Sequence, residues 1–235
     1  MQPTSQATTA ASIQPGSVQQ EHAPRIASGA VSRTMEREDW NQRYAAEELI
    51  WTAKANRFLM EETAGLAPGS ALDLATGEGR NAVWLAEQGW LVRAVDFSDV
   101  AIAKARRLAL VRNVHEAIDF READLRTYEL EFHRFDLVAL IYLQIPQAEL
   151  LPILLRAARA VAPGGTFLLV GHDSENLLNG YGGPQRADML YTAEQVVAAL
   201  GNELVIEKAV RVERLVATPN GIRVALDCLV RGKRL

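Results

Sequence analysis

The chain has 235 residues, 49% hydrophobic and 23% charged, with a net charge of −4. Such proportions suit one globular domain with a full core. No run approaches about 18 apolar residues, so no membrane span is expected. The acidic balance makes a general nucleic-acid binder a poor fit.

Residues 1–33 hold no Leu, Phe, Trp or Tyr, and no charge before Glu21. They cannot bury enough apolar area to offset the entropy of ordering, so a disordered tail is expected there, with the folded domain over 34–235. The tail lacks the basic start and apolar centre of a signal peptide. Asp39 is placed to cap a short helix, Trp40 to Tyr44. A second helix is expected from about Asn56 to Ala64, ended by Gly65.

The run Ala71-Leu-Asp-Leu-Ala-Thr-Gly-Glu-Gly-Arg-Asn-Ala82 then starts as a strand and breaks at Gly77 and Gly79. It continues as a helix with Ala82, Leu85 and Ala86 on one face. Glycine lets the backbone pass close to a ligand, and the N–H groups opening the helix point at it. A second strand, Leu91 to Val95, ends in Asp96, where a carboxylate can accept from both hydroxyls of a ribose. Ser98 caps a helix running to about Arg112. Ile118 and Phe120 mark a third strand, followed by Ala123-Asp124-Leu125.

Phe135 to Leu143 is nearly all apolar, as a central parallel strand should be. A helix of about a dozen residues follows and ends near Val161. Ala162-Pro163-Gly164-Gly165 reads as a turn into a fifth strand, Thr166 to Gly171. His172 and Asp173 stand at its C-terminal end, the edge where ligands bind in open α/β sheets. A long segment, Asp173 to Tyr191, reads as a substrate-facing loop. Thr192-Ala-Glu-Gln195 is a capping box for a helix closed by Gly201. Two β-rich runs, Glu203 to Ala217 and Ile222 to Val230, flank a Pro-Asn-Gly turn. The basic end, Arg231 to Arg234, reads as solvated.

Gly77, Gly79 and Ala82 also satisfy the dinucleotide fingerprint, a weak pattern on its own. Acid in the first strand, acid ending the second and acid after the third form a more specific set. It resembles the class I S-adenosylmethionine (SAM) methyltransferases. The resemblance implies a Rossmann-like, doubly wound α/β sheet of seven strands, mostly parallel with an antiparallel last strand. It implies SAM as cofactor, with the glycine turn at the methionyl end, Asp96 on the ribose and Asp124 near the adenine amine. The implied cofactor set is Tyr44, Asp73, Ala75, Gly77, Gly79, Asp96, Phe97, Asp124, Leu125 and Tyr142. Trp51, Gln144 and Asp173 are expected at the substrate, and His172 is the candidate catalytic base. The N-terminal aromatics Trp40, Tyr44 and Trp51 are expected to form a lid over the cofactor, or only to pack their segment on the sheet.

Ala75 and Thr76 replace the Gly-Cys pair of the common L-D-L-G-C-G-x-G form, so a slightly altered turn is expected. The W-x-x-R-Y start at Trp40-Asn-Gln-Arg-Tyr44 and the turn style are similar to the tellurite-resistance and thiol methyltransferase-like group. The acceptor then is a small molecule: a thiol, a metalloid oxyanion or a hydroxyl. The motifs of amino-directed and cytosine-directed DNA methyltransferases are missing after the fourth strand, and no nucleic-acid or membrane partner is expected. The four histidines, at 22, 115, 133 and 172, lack ligand spacing, so no metal is expected. Cys228 cannot pair internally and reads as a small core residue in a reducing cytoplasm. Monomer and homodimer both stay open. An NAD-dependent oxidoreductase and a non-catalytic SAM-binding module are the alternatives.

Overall fold

The computed structural model describes residues 34–50 and 52–235. The expected tail and Trp51 lie outside the described residues. Seven strands form one sheet: β1 (Ser70–Leu74), β2 (Leu91–Asp96), β3 (Ile118–Glu122), β4 (Phe135–Ile141), β5 (Val161–His172), β6 (Val205–Thr218) and β7 (Gly221–Lys233). Their spatial order is β3-β2-β1-β4-β5-β7-β6. The first five run parallel, because each connection crosses over through a helix or a long loop. β7 inserts antiparallel between β5 and β6. The seven-stranded, mostly parallel fold expected from the motifs is the fold observed.

Strand order places β1 and β4 at the centre, which is why most of their side chains are apolar on both faces. Leu72, Leu74, Val138 and Leu140 pack one face against α5 (Gln147–Ala160) and α7 (Ala193–Leu200). Ala71, Leu137 and Ala139 pack the other against α2 (Arg57–Thr63), α3 (Arg80–Glu87) and α4 (Asp99–Val111). The strand order reverses between β1 and β4, so their C-terminal ends flank the crevice where such sheets bind ligands.

Four local expectations change. The first helix, α1, spans Arg37–Tyr44, and Glu36 is its N-cap. Asp39 serves as the third residue of a reciprocal capping box, so both acids hold the helix start. β4 stops at Ile141, where Tyr142 takes φ +61. The expected turn at 162–165 is absorbed into β5 as an irregularity: the pairing register shifts between Phe135 and Leu137, and Gly164 takes φ +79. The basic end also belongs to the fold. Arg231 pairs with Glu207 and Glu62, and Arg234 with Glu203.

Candidate functional site

β1 ends at Leu74, and the chain then turns with Ala75 at φ +60, Gly77 at φ +55 and Gly79 at φ +81. Ala75 occupies the left-handed region without being glycine, at a cost of roughly 1–2 kcal/mol. The turn stores that strain at Ala75. Thr76 has a task of its own: its hydroxyl donates to Asp73 Oδ2 at 2.6 Å. Asp73 is buried, and its Oδ1 has no hydrogen-bond partner among the described residues. Burial pushes its carboxyl up to about 7, against the bond from Thr76.

Asp96, at the tip of β2, faces the same turn. It accepts from Gly77 N–H at 2.8 Å and from Ser98 N–H at 3.0 Å. Burial raises its carboxyl, and the N–H groups of Ser98, Gly77 and Phe97 oppose the rise. Asp96 therefore braces the glycine turn against β2.

The N-terminal segment lies over this cradle. A Cβ built on Gly77 would sit 3.1 Å from the Tyr44 hydroxyl. Tyr44 stacks on Trp40 at 5.6 Å between ring centroids, and Phe97 packs beside both. Glu78, the residue between the two glycines, is buried and fastens the segment. Its Oε1 accepts from Ile50 N–H at 3.2 Å and from Lys104 at 3.0 Å, while Lys104 also donates to the Glu48 carbonyl. Asn41 reaches Asp99 and accepts from Ser98. At the tip of β3, Arg126 grips both oxygens of Asp124 and also pairs with Glu36. That grip holds the Asp124 carboxyl below its ordinary value. The segment is thus tied to the turn and to the tips of β2 and β3.

A second cluster stands where the C-terminal ends of β4 and β5 meet the middle of β7. Antiparallel pairing sets His172 directly opposite Asp227. His172 Nδ1 lies 3.1 Å from Asp227 Oδ1. Arg214, from β6, donates to Asp227 Oδ2 at 2.7 Å, and the Tyr142 hydroxyl donates to the same oxygen at 2.6 Å. Asp227 is 0% exposed. Burial alone would raise its carboxyl, but the bond from His172 and the charge of Arg214 outweigh it and hold it at about 2. An ionised carboxylate only accepts, so a proton belongs on Nδ1.

The structure thus brings Asp73, Ala75, Gly77, Asp96, Phe97 and Tyr44 together around the turn. Asp124 stands at the β3 rim, and Leu125 points its side chain into the core, where only its backbone is left for polar contact. Tyr142 is drawn to Asp227. Gln144 is half-buried beyond β4, and Asp173 is buried with Arg211 3.9 Å away. Among the described residues no helix is long and apolar enough to cross a membrane. Glu78, Lys104, Arg126, Arg214 and Asp227 were not singled out from the sequence. A buried charge in an otherwise apolar alternating run is the signal that marks Asp227.

Residues 71–165 match the model of a methyltransferase domain. No curated protein matches the chain. Among solved structures, one concerned with converting a disulfide bond into a thioacetal during echinomycin biosynthesis is 21% identical, with a TM-score of 0.66 over 84% of this chain and 91% of that one. TehB from Haemophilus influenzae is 14% identical, with a TM-score of 0.64 over 85% and 67%. A SAM-dependent methyltransferase from Methanosarcina mazei is 17% identical, with a TM-score of 0.60 over 77% and 99%.

Proposed function

Starting from a methyltransferase domain whose methyl donor is SAM, we propose that this chain methylates a hydroxyl group on a small-molecule acceptor, with His172 as the general base. The observation that carries the reading is the buried contact between His172 Nδ1 and the ionised Asp227. A thiol is partly ionised at neutral pH and needs little help, whereas an alcohol or phenol must lose its proton as the new bond forms. An oriented imidazole is of use chiefly to the second class. The tellurite-resistance and thiol-type readings have the overall likeness to TehB behind them, and a likeness at that identity speaks for the fold.

The cradle suits SAM. The orphaned Asp73 Oδ1 is an acceptor awaiting a donor, as an ammonium group would supply. Asp96 presents a carboxylate beside the turn for ribose hydroxyls, and Asp124 offers one at the far rim. SAM supplies an electrophilic methyl group that needs no covalent help from the protein. The work left to the chain is to orient, to dry and to move one proton. The segment 36–50, tied down at three strand tips, covers the cradle and excludes water. Nε2 takes the acceptor proton, and Asp227 stabilises the imidazolium that results. Orientation of reacting groups can contribute roughly 7–11 kcal/mol. A cytoplasmic monomer or homodimer is part of the same proposal.

The test compares acceptors. His172→Ala should lower kcat by about 10²–10⁴ on phenols or alcohols and far less on thiols. An unchanged kcat on every hydroxyl acceptor that the parent methylates would reduce His172 to a structural residue.

A further inference from the structure

The imidazole of His172 is held by more than Asp227. The Tyr142 ring lies against it, with centroids 4.8 Å apart. On Gly183, in the segment after β5, a Cβ would come within 2.9 Å of His172 Cγ and 3.0 Å of Cδ2 and Cε1. The peptide backbone at Gly183 therefore lies on the ring itself. Those three ring atoms span the imidazole, so the contact is with its face and not with one edge.

The segment that brings Gly183 there is bolted down by one buried amide. Asn176 opens α6 (Asn176–Asn179) and is 1% exposed. Its Nδ2 donates to the Gly182 carbonyl at 2.9 Å, and its Oδ1 accepts from Leu226 N–H at 2.8 Å. Leu226 is the neighbour of Asp227 on β7. One side chain thus ties the loop that carries Gly183 to the strand that carries Asp227.

We propose that Gly183 and Asn176 are positioning residues for His172: the Gly183 backbone and the Tyr142 ring form a slot for the imidazole, and Asn176 sets the width of that slot. The proposal rests on the base reading of His172 for its effect on turnover, though not for the slot itself. Only glycine fits at 183, since φ is +73 and any side chain would displace the ring. The long segment after β5 then has two jobs. It walls the acceptor side of the site, and it fixes the direction in which Nε2 points.

Gly182 provides the comparison. Its φ is +75, close to that of Gly183, yet a Cβ there meets nothing within 4 Å. Gly182→Ala and Gly183→Ala carry the same backbone strain, and only the second strikes His172. Asn176→Asp removes the donor to Gly182 while keeping the shape of the side chain. Two readouts are taken on each variant: the imidazole nitrogen NMR signals of His172, assigned with His172→Gln, and kcat on a hydroxyl acceptor. Calorimetric SAM affinity serves as the folding and cofactor check. Gly183→Ala and Asn176→Asp should move the His172 nitrogen signals and place kcat about 10²-fold below Gly182→Ala, with SAM affinity held. Identical nitrogen signals in Gly182→Ala and Gly183→Ala would overturn the slot. Displaced signals with equal kcat would leave the slot standing and overturn the base reading of His172.

Discussion

Replacing Asp227 by Asn separates the two things this carboxylate does. Its two oxygens serve three donors: Oδ1 faces His172 Nδ1, and Oδ2 accepts from Arg214 and Tyr142. An amide has one oxygen and one NH₂ group. The oxygen goes to the side with two donors, one of them charged, because a charged bond is the stronger. The NH₂ then faces His172, whose Nδ1 must become the acceptor. The proton moves to Nε2, and the base loses its lone pair. General-base help is worth about 10²–10⁴ in rate, so kcat on a hydroxyl acceptor should fall by that factor, or about 3–5 kcal/mol of barrier.

Stability falls at the same time, for a different reason. Arg214 is 6% exposed and would lose the charge of Asp227. Breaking a buried ion pair from one side costs roughly 3–5 kcal/mol, a drop of about 6–20 °C in melting temperature for a chain of this size. The double change Asp227→Asn with Arg214→Met should recover much of the melting temperature and none of the rate. The assay is demethylated-cofactor formation at saturating SAM, below the melting onset of the variant. A folded Asp227→Asn protein with kcat within about threefold of the parent on a hydroxyl acceptor would refute the tautomer argument.

Asp96→Ala should weaken SAM binding by about 2–4 kcal/mol, since two charge-assisted bonds to a ribose are removed; calorimetry showing affinity within about twofold would reject the assignment. Asp73 carries a pH signature: its folded value of about 7 lies above the ordinary 3.8, so its contribution to stability is present below 3.8 and is lost as pH climbs through 7. Asp73→Asn should therefore melt above the parent at about pH 8, with the gap closing toward about pH 4, and equal melting curves at both ends would contradict the burial argument. Glu78→Ala leaves Lys104 buried without its carboxylate and should cost roughly 3–5 kcal/mol, with earlier protease cutting near residues 46–50, while Glu78→Leu with Lys104→Met restores most of the loss; unchanged proteolysis in Glu78→Ala would remove Glu78 as the fastening of that segment.

The cradle was legible in the sequence because its parts are local. Asp73, Gly77, Gly79 and Asp96 fall within two strand–turn units, and each turn needs its glycine or acid at a fixed offset from its strand. The proposed base was half legible. His172 follows a strand end that apolar patterning locates, but Asp227 lies 55 positions away and meets it only through the β5–β7 register. Nothing local sets that register. Arg214 was hidden likewise inside β6, a run whose other charges are solvated. The turn expected at 162–165 persists as a bulge within β5: Pro163, Gly164 and Gly165 carry turn chemistry, these residues have no partner on β4, and the Arg234 carbonyl accepts from Gly164.

Two buried carboxylates of this site sit in opposite electrostatic settings, and the contrast fits the work proposed for each. Asp73 has a hydroxyl and backbone for company and is driven toward its neutral form, so its charge is worth most when a cation arrives beside it. That suits a group meeting the ammonium end of a cofactor. Asp227 has Arg214 permanently beside it and stays ionised however deeply it is buried. It needs no ligand to be charged, and so it can hold the imidazole in one tautomer before any acceptor enters. Environments that push two acids apart in this way divide binding from proton transfer. The same contrast explains why the second acid is joined to three side chains and the first to one. A group that must answer a ligand is left a vacancy in its hydrogen bonding, and a group that must hold a base still is not.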